Sequence, residues 1–110
     1  MRLPNGDLAV VDDAKVRDYL LSPTHPVGRF KSVFFVALGF SSDRWEVLRD
    51  ALLEVARTGE AVPGQASPFG LKFESRAIFQ GPAGRQANVL TVWMVSNGQD
   101  FPHFVTAHPG

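Results

Sequence analysis

The sequence contains no cysteine, which excludes a disulfide scaffold, a thiol nucleophile and a thiolate zinc site. It has no surplus of charge either. Eleven basic residues balance 11 acidic ones, the pI is near 6.8, and bulk attraction to DNA or to an acidic membrane is excluded as the basis of function. No apolar run approaches the roughly 20 residues of a membrane-spanning helix, and no signal-peptide pattern opens the sequence. The expectation is a cytoplasmic protein without membrane contact. What remains is ordinary globular composition: 45% hydrophobic and 20% charged over 110 residues, the length of one domain with one core.

The hydrophobic period divides the chain into a helical half, about 12–58, and a strand half, about 71–107. Leu8 to Val11 is a short apolar run that fits a brief first strand. Asp12 and Asp13 then place negative charge where a helix N-terminus favours it, and Val16, Tyr19 and Leu20 recur at helical spacing, which predicts a helix over 13–21. Phe30, Val33, Phe34, Ala37 and Leu38 form one apolar stripe of a second helix over 28–38, closed by Gly39. Asp43 with Glu46 resembles a capping box for a third helix over 43–58, with Trp45, Leu48, Leu52, Val55 and Ala56 as its core stripe. Residues 60–70 are rich in glycine and proline and read as a loop, with 60–62 as a candidate extra strand. The period then becomes two. Leu71 to Phe79 has one wet face, Ala87 to Val95 is apolar on both faces, Asn97-Gly98 signals a turn, and Phe101 to Ala107 closes the sheet. The expected fold is α+β: about three helices on one face of a three- or four-stranded antiparallel meander. Its predicted core is Phe30, Val33, Phe34, Trp45, Leu48, Leu52, Val89, Val92 and Trp93.

Chemistry has few places to reside. Residues 19–42 contain no acid but carry His25, Arg29 and Lys31 around Gly28, where a helix N-terminus would present free N–H groups to an anion. The same stretch also fits a core-rich segment with two solvated bases. Residues 75–99 likewise lack acids and carry Arg76 and Arg85. Of the three histidines, His103 and His108 lie near the C-terminus; five residues apart, they point to opposite faces of a regular strand, so no metal site is expected. A histidine, cations and a hydroxyl such as that of Thr106 are the residue types needed to cleave RNA without a metal, and no cofactor is called for.

Several strings together carry a resemblance: Leu3-Pro4-Asn5, Lys15, the run from Tyr19 to Arg29 with Lys31, Phe35 with Leu38-Gly39, Val92-Trp93, and Pro102 with Val105-Thr106-Ala107 and Pro109. Over almost its full length the chain resembles a bacterial domain-of-unknown-function family. Its members are found as small stand-alone proteins and as C-terminal modules of phage-head-type and polymorphic toxin proteins. The resemblance implies a toxin or effector module of the small metal-independent ribonuclease fold class. His25, Gly28 and Lys31 stand where the family pattern has them. The closing segment departs, since the pattern places an arginine where His103 stands, a leucine at Phe104 and a tyrosine at His108.

Two readings follow. In the first, the protein is a toxin-like domain acting on RNA, with His25 as acid/base, Lys31, Arg29, Arg85 and the Gly28 backbone neutralising phosphate, and Thr106 and His103 supporting the site. In the second, it is a non-catalytic module that binds a small partner protein of the immunity or antitoxin kind. Convergence of His25, Lys31 and Thr106 in one cleft favours the first; an exposed apolar patch favours the second.

Overall fold

The computed structural model describes all 110 residues. The chain begins with a 3-10 turn, Gly6–Leu8. Helix α1 (Asp13–Lys15) follows and runs on without a break as a π-helical turn, Val16–Leu20. Helix α2 is Arg29–Ala37 and helix α3, entered through a 3-10 turn at Ser42–Arg44, is Trp45–Thr58. The remainder is one antiparallel meander of four strands in the order β1 (Ala61–Ser67), β2 (Gly70–Gln80), β3 (Gln86–Ser96) and β4 (His103–Pro109). No helix is long and apolar enough to cross a membrane.

The fold is therefore α+β, with helices before a four-stranded antiparallel meander as expected, but the helices are shorter and the strands longer than the sequence suggests. The expected loop at 60–70 is mostly strand β1, paired with β2 from Ala61↔Ser75 to Ser67↔Gly70 around an irregularity between Pro63 and Ala66. Pro63 and Gly64 suggest a loop, yet an edge strand tolerates both because one side of its backbone needs no partner. Leu8 to Val11 forms no strand; it contributes one parallel bridge, Val10↔His103. The closing strand begins at His103 rather than Phe101, and Val10 bridges its outer side, its N–H bonded to the Pro102 carbonyl at 3.0 Å and its carbonyl to Phe104 N–H at 2.9 Å. Neither Asp12 nor Asp43 makes a side-chain cap, and α3 starts at Trp45, one residue later than the capping-box pattern implies.

Alternate residues of the sheet face the helices. Phe73, Phe79, Val89, Trp93, Phe104 and Ala107 pack with Leu48, Leu52, Val55 and Ala56 of α3, with Phe35 and Leu38 of the α2 segment, and with Val16, Leu20 and Leu21. The π turn accounts for the last group. Leu21 N–H bonds the Val16 carbonyl at 3.0 Å, an i to i+5 bond, and the wider turn lets Val16, Leu20 and Leu21 all reach the core.

The predicted core is correct at Leu48, Leu52, Val89 and Trp93, whereas Phe34, Trp45 and Val92 are only half-buried. On α2 the predicted stripe is on the wrong side. Phe30 and Val33 are 70% and 73% exposed, and the buried residues are Ser32 and Phe35. The helix is apolar nearly all round, so two stripes fit its period; the packed one includes a serine whose hydroxyl is satisfied by the Arg29 carbonyl at 3.1 Å.

Candidate functional site

The largest cleft, about 660 Å³, opens along the outer edge of β4. It is lined by Asp12, Ala14 and Lys15, by Asp18 and Tyr19 of the π turn, by His25 and Val27 of the following loop, and by Val105 and Thr106. A bulge positions the last two. The register runs from Val92↔Thr106 directly to Trp93↔Phe104, so Val105 is an extra residue without a partner on β3. Bulges of this kind re-aim side chains next to sites. Here Thr106 reaches the helical layer: its Oγ1 accepts a hydrogen bond from Lys31 Nζ at 2.6 Å and shares another with the Tyr19 hydroxyl at 3.1 Å.

Tyr19 is the centre of this cluster. Lys31 Nζ lies 5.2 Å and Lys15 Nζ 5.6 Å from its ring centroid, and the His25 ring stands edge-on to it at 5.1 Å. Lys15 is held by the carbonyl of Val105 at 3.1 Å. Burial pushes the Tyr19 phenol up from its ordinary value, but the Lys31 ammonium, the Thr106 hydrogen bond and the charges of Lys31 and Lys15 together outweigh it, and the net shift is downward.

The loop from Ser22 to Gly28 closes on itself. Ser22 Oγ accepts the N–H groups of Thr24 and His25. His25 Nδ1 accepts those of Val27 at 3.0 Å and Gly28 at 2.9 Å. Backbone N–H groups can only donate, so Nδ1 is the bare nitrogen and Nε2 carries the hydrogen. In this arrangement His25 offers the cleft a donor.

Gly28 is buried against the backbone of Tyr19, and a Cβ there would overlap the Tyr19 carbonyl oxygen. The glycine thus brings α2 onto the π turn rather than opening the backbone to a ligand. Gly28→Ala should cost about 1–3 kcal/mol, the usual range for overpacking, and chemical denaturation with an unchanged midpoint would contradict that contact.

The structure brings together His25, Lys31 and Thr106. It does not bring in the others. His103 lies outside the cleft, with Nε2 bonded to Ser96 Oγ at 3.0 Å. Arg29 is exposed and stacks on Phe30, 4.5 Å from ring centroid to guanidinium carbon. Arg85 sits before β3, and Val92, the register partner of Thr106, lies six residues along the strand from Gln86. At about 3.3 Å per residue that is about 20 Å, beyond the reach of its side chain. The α2 N-terminus has no free N–H to present, because those of Val27 and Gly28 go to His25 and that of Arg29 to the His25 carbonyl. An anion in the cleft would meet lysine side chains.

Sequence reasoning gave no role to Tyr19 or Lys15. Their signal was present, since they stand i, i+4 on one helical face and both belong to the strings that carry the family resemblance.

The family described as Domain of unknown function (DUF6883) matches over residues 2–110. The chain belongs to that family. No curated protein matches it. Among solved structures, a chain from the contact-dependent growth inhibition toxin–immunity protein complex of Klebsiella pneumoniae 342 is similar, with a TM-score of 0.74 and 18% identity, covering 92% of this chain and 99% of that one. At that identity the likeness is one of fold. It extends over the helices and the sheet alike, so the two layers that enclose the cleft of this family member are common to both chains.

Proposed function

We propose that the protein is a toxin-type domain that acts on RNA as a metal-independent ribonuclease in the cytoplasm, where its substrate is found. The observation that carries this reading is the meeting of Thr106, Tyr19 and His25, drawn from the β4 bulge, the π turn and the loop between helices, in one cleft at the sheet edge, with Lys31 of α2 bonded to Thr106 beside it. A phosphodiester there would find the Lys15 ammonium for its charge with Lys31 one hydroxyl away, a donor from His25 and hydroxyls for proton movement, the groups that an RNA-cleaving site needs. The fold shared with one chain of a toxin–immunity complex supports a role in a toxin–immunity pair, which this reading and the next both provide. Purified protein incubated with tRNA and mRNA across the range of about pH 5–10, with and without divalent ions, is expected to cut them at a pH near the transition of its catalytic groups. Intact RNA under every condition would overturn the proposal.

A second reading, partner binding, has an observation of its own. Val27, Phe30 and Val33 form an exposed apolar line that starts at the cleft rim and runs along α2, flanked by Arg29. Exposed apolar surface with an arginine–aromatic pair is the composition of an interface centre. A small acidic protein of the immunity kind would complement it and would close the cleft beside it. Should RNA survive the incubation, this reading takes the place of the first.

A further inference from the structure

We propose that Tyr19, rather than His25, is the catalytic residue that takes the proton from the attacking ribose 2′-hydroxyl. This inference rests on the ribonuclease reading above and concerns which group in the cleft does the chemistry.

The geometry leaves His25 badly placed as a base. Its Nδ1 lone pair already receives two backbone N–H bonds that shape the loop, and its Nε2 carries the hydrogen. Accepting a proton would require that loop to surrender both bonds. Lys15 and Lys31 carry protons already. Asp18 is held by Arg17 through two contacts of 3.2 Å on the exposed side of the π turn, and Asp12 lies exposed just before α1. The Tyr19 oxygen, by contrast, lines the cleft with Lys15 and sits one hydroxyl away from the Lys31 ammonium.

Thr106 links the two. Its Oγ1 accepts from Lys31, which frees its own hydrogen to point at the Tyr19 oxygen whenever that oxygen is negative. Every group facing the ring from a neighbouring element bears on this: Lys31 from α2 and Lys15 from α1 favour the phenolate, His25 from the loop stands edge-on to the ring, and Asp12 and Asp18 line the same cleft. The net effect on the phenol is the downward shift already described.

The step balances without a metal. The Tyr19 phenolate takes the 2′-hydroxyl proton as the 2′-oxygen bonds to phosphorus. The bond from phosphorus to the 5′-oxygen breaks, and a water protonates that oxygen. The products are a 2′,3′-cyclic phosphate and a 5′-hydroxyl, and the hydroxide left by the water recovers the proton from Tyr19.

The chain has a single tyrosine, so the near-ultraviolet absorbance of phenolate reports Tyr19 alone. In the folded protein its transition should fall at lower pH than in the urea-unfolded chain, and Lys31→Met should move it back up. The cleavage rate should rise with pH along the same transition. Tyr19→Phe keeps the ring against His25 and should reduce cleavage at least ~100-fold, the scale of a general base. If wild-type protein cuts RNA and Tyr19→Phe cuts it equally well, or if the folded and unfolded absorbance transitions coincide, the assignment of Tyr19 is wrong while the ribonuclease reading stands. If wild-type protein leaves RNA intact, the ribonuclease reading fails and the assignment fails with it.

Discussion

Trp93→Ala is expected to destabilise the protein by about 3–5 kcal/mol, the range for deleting a buried large aromatic. The indole has no exposed surface. It meets the Phe104 ring edge-on at 5.4 Å, and Nε1–H donates to Thr91 Oγ1 at 2.8 Å. Thr91 in turn donates to the Ser75 carbonyl at 2.8 Å, and Ser75 Oγ donates to the Glu60 carbonyl at 2.6 Å. One residue therefore fills the space between sheet and helices and also starts a polar chain from β3 across β2 to the head of β1. Alanine would leave a cavity and take away a donor from the buried Thr91 oxygen. Total stability of a domain of this kind is about 5–15 kcal/mol, so the loss is a large share of it. Phe30→Ala, on the exposed line of α2, should by contrast stay within about 0.5 kcal/mol. Denaturation midpoints for the two variants check both numbers, and similar losses would mean that the buried side of the sheet or of α2 is misassigned.

Lys31→Ala should lower RNA cleavage by about 100- to 1000-fold, the effect of removing a preorganised donor from developing charge. The side chain spans from α2 to β4, and its ammonium is within hydrogen-bond distance of Thr106. Thr106→Val removes the hydroxyl with little change of volume and should give a loss of the same order if the two act as one unit. The double variant should then lose little more than either single one, since groups that act together are not additive. Additive losses would show two independent contributions and would break the link drawn through Thr106. Circular dichroism of each variant separates loss of chemistry from loss of fold.

The legible parts of the molecule were those where one period dominates. The α3 stripe through Leu48 and Leu52, and the double-faced strand around Val89 and Trp93, bury as their patterns predict, because each has one apolar side or two and no rival arrangement. Helix α2 was not legible in that way. With apolar side chains at six of its nine positions, spread around the helix, its burial is set by tertiary contact, and Ser32 went inside while Phe30 and Val33 stayed out. Strand β1 was hidden by Pro63 and Gly64, whose turn propensity is overridden by pairing with β2. The site was half legible. His25, Lys31 and Thr106 could be proposed from residue type and resemblance, but their convergence depends on a π turn and a bulge, and each shifts the register by one residue without a composition signal of its own. Arg85 and His103 were proposed on charge and residue type alone, and strand geometry places both outside the cleft.

The proposed function requires that RNA bind in the cleft beside β4. The most direct test is to titrate the wild-type protein with a short RNA whose 2′-hydroxyls are methylated, so that it binds without being cut, and to follow the backbone amides by NMR. The amides of Lys15, Tyr19, His25, Lys31, Val105 and Thr106 are expected to shift first and together. Shifts confined to α3, β1 or the β2–β3 turn, or no shift at ~1 mM RNA, where even a weak complex would form, would contradict it.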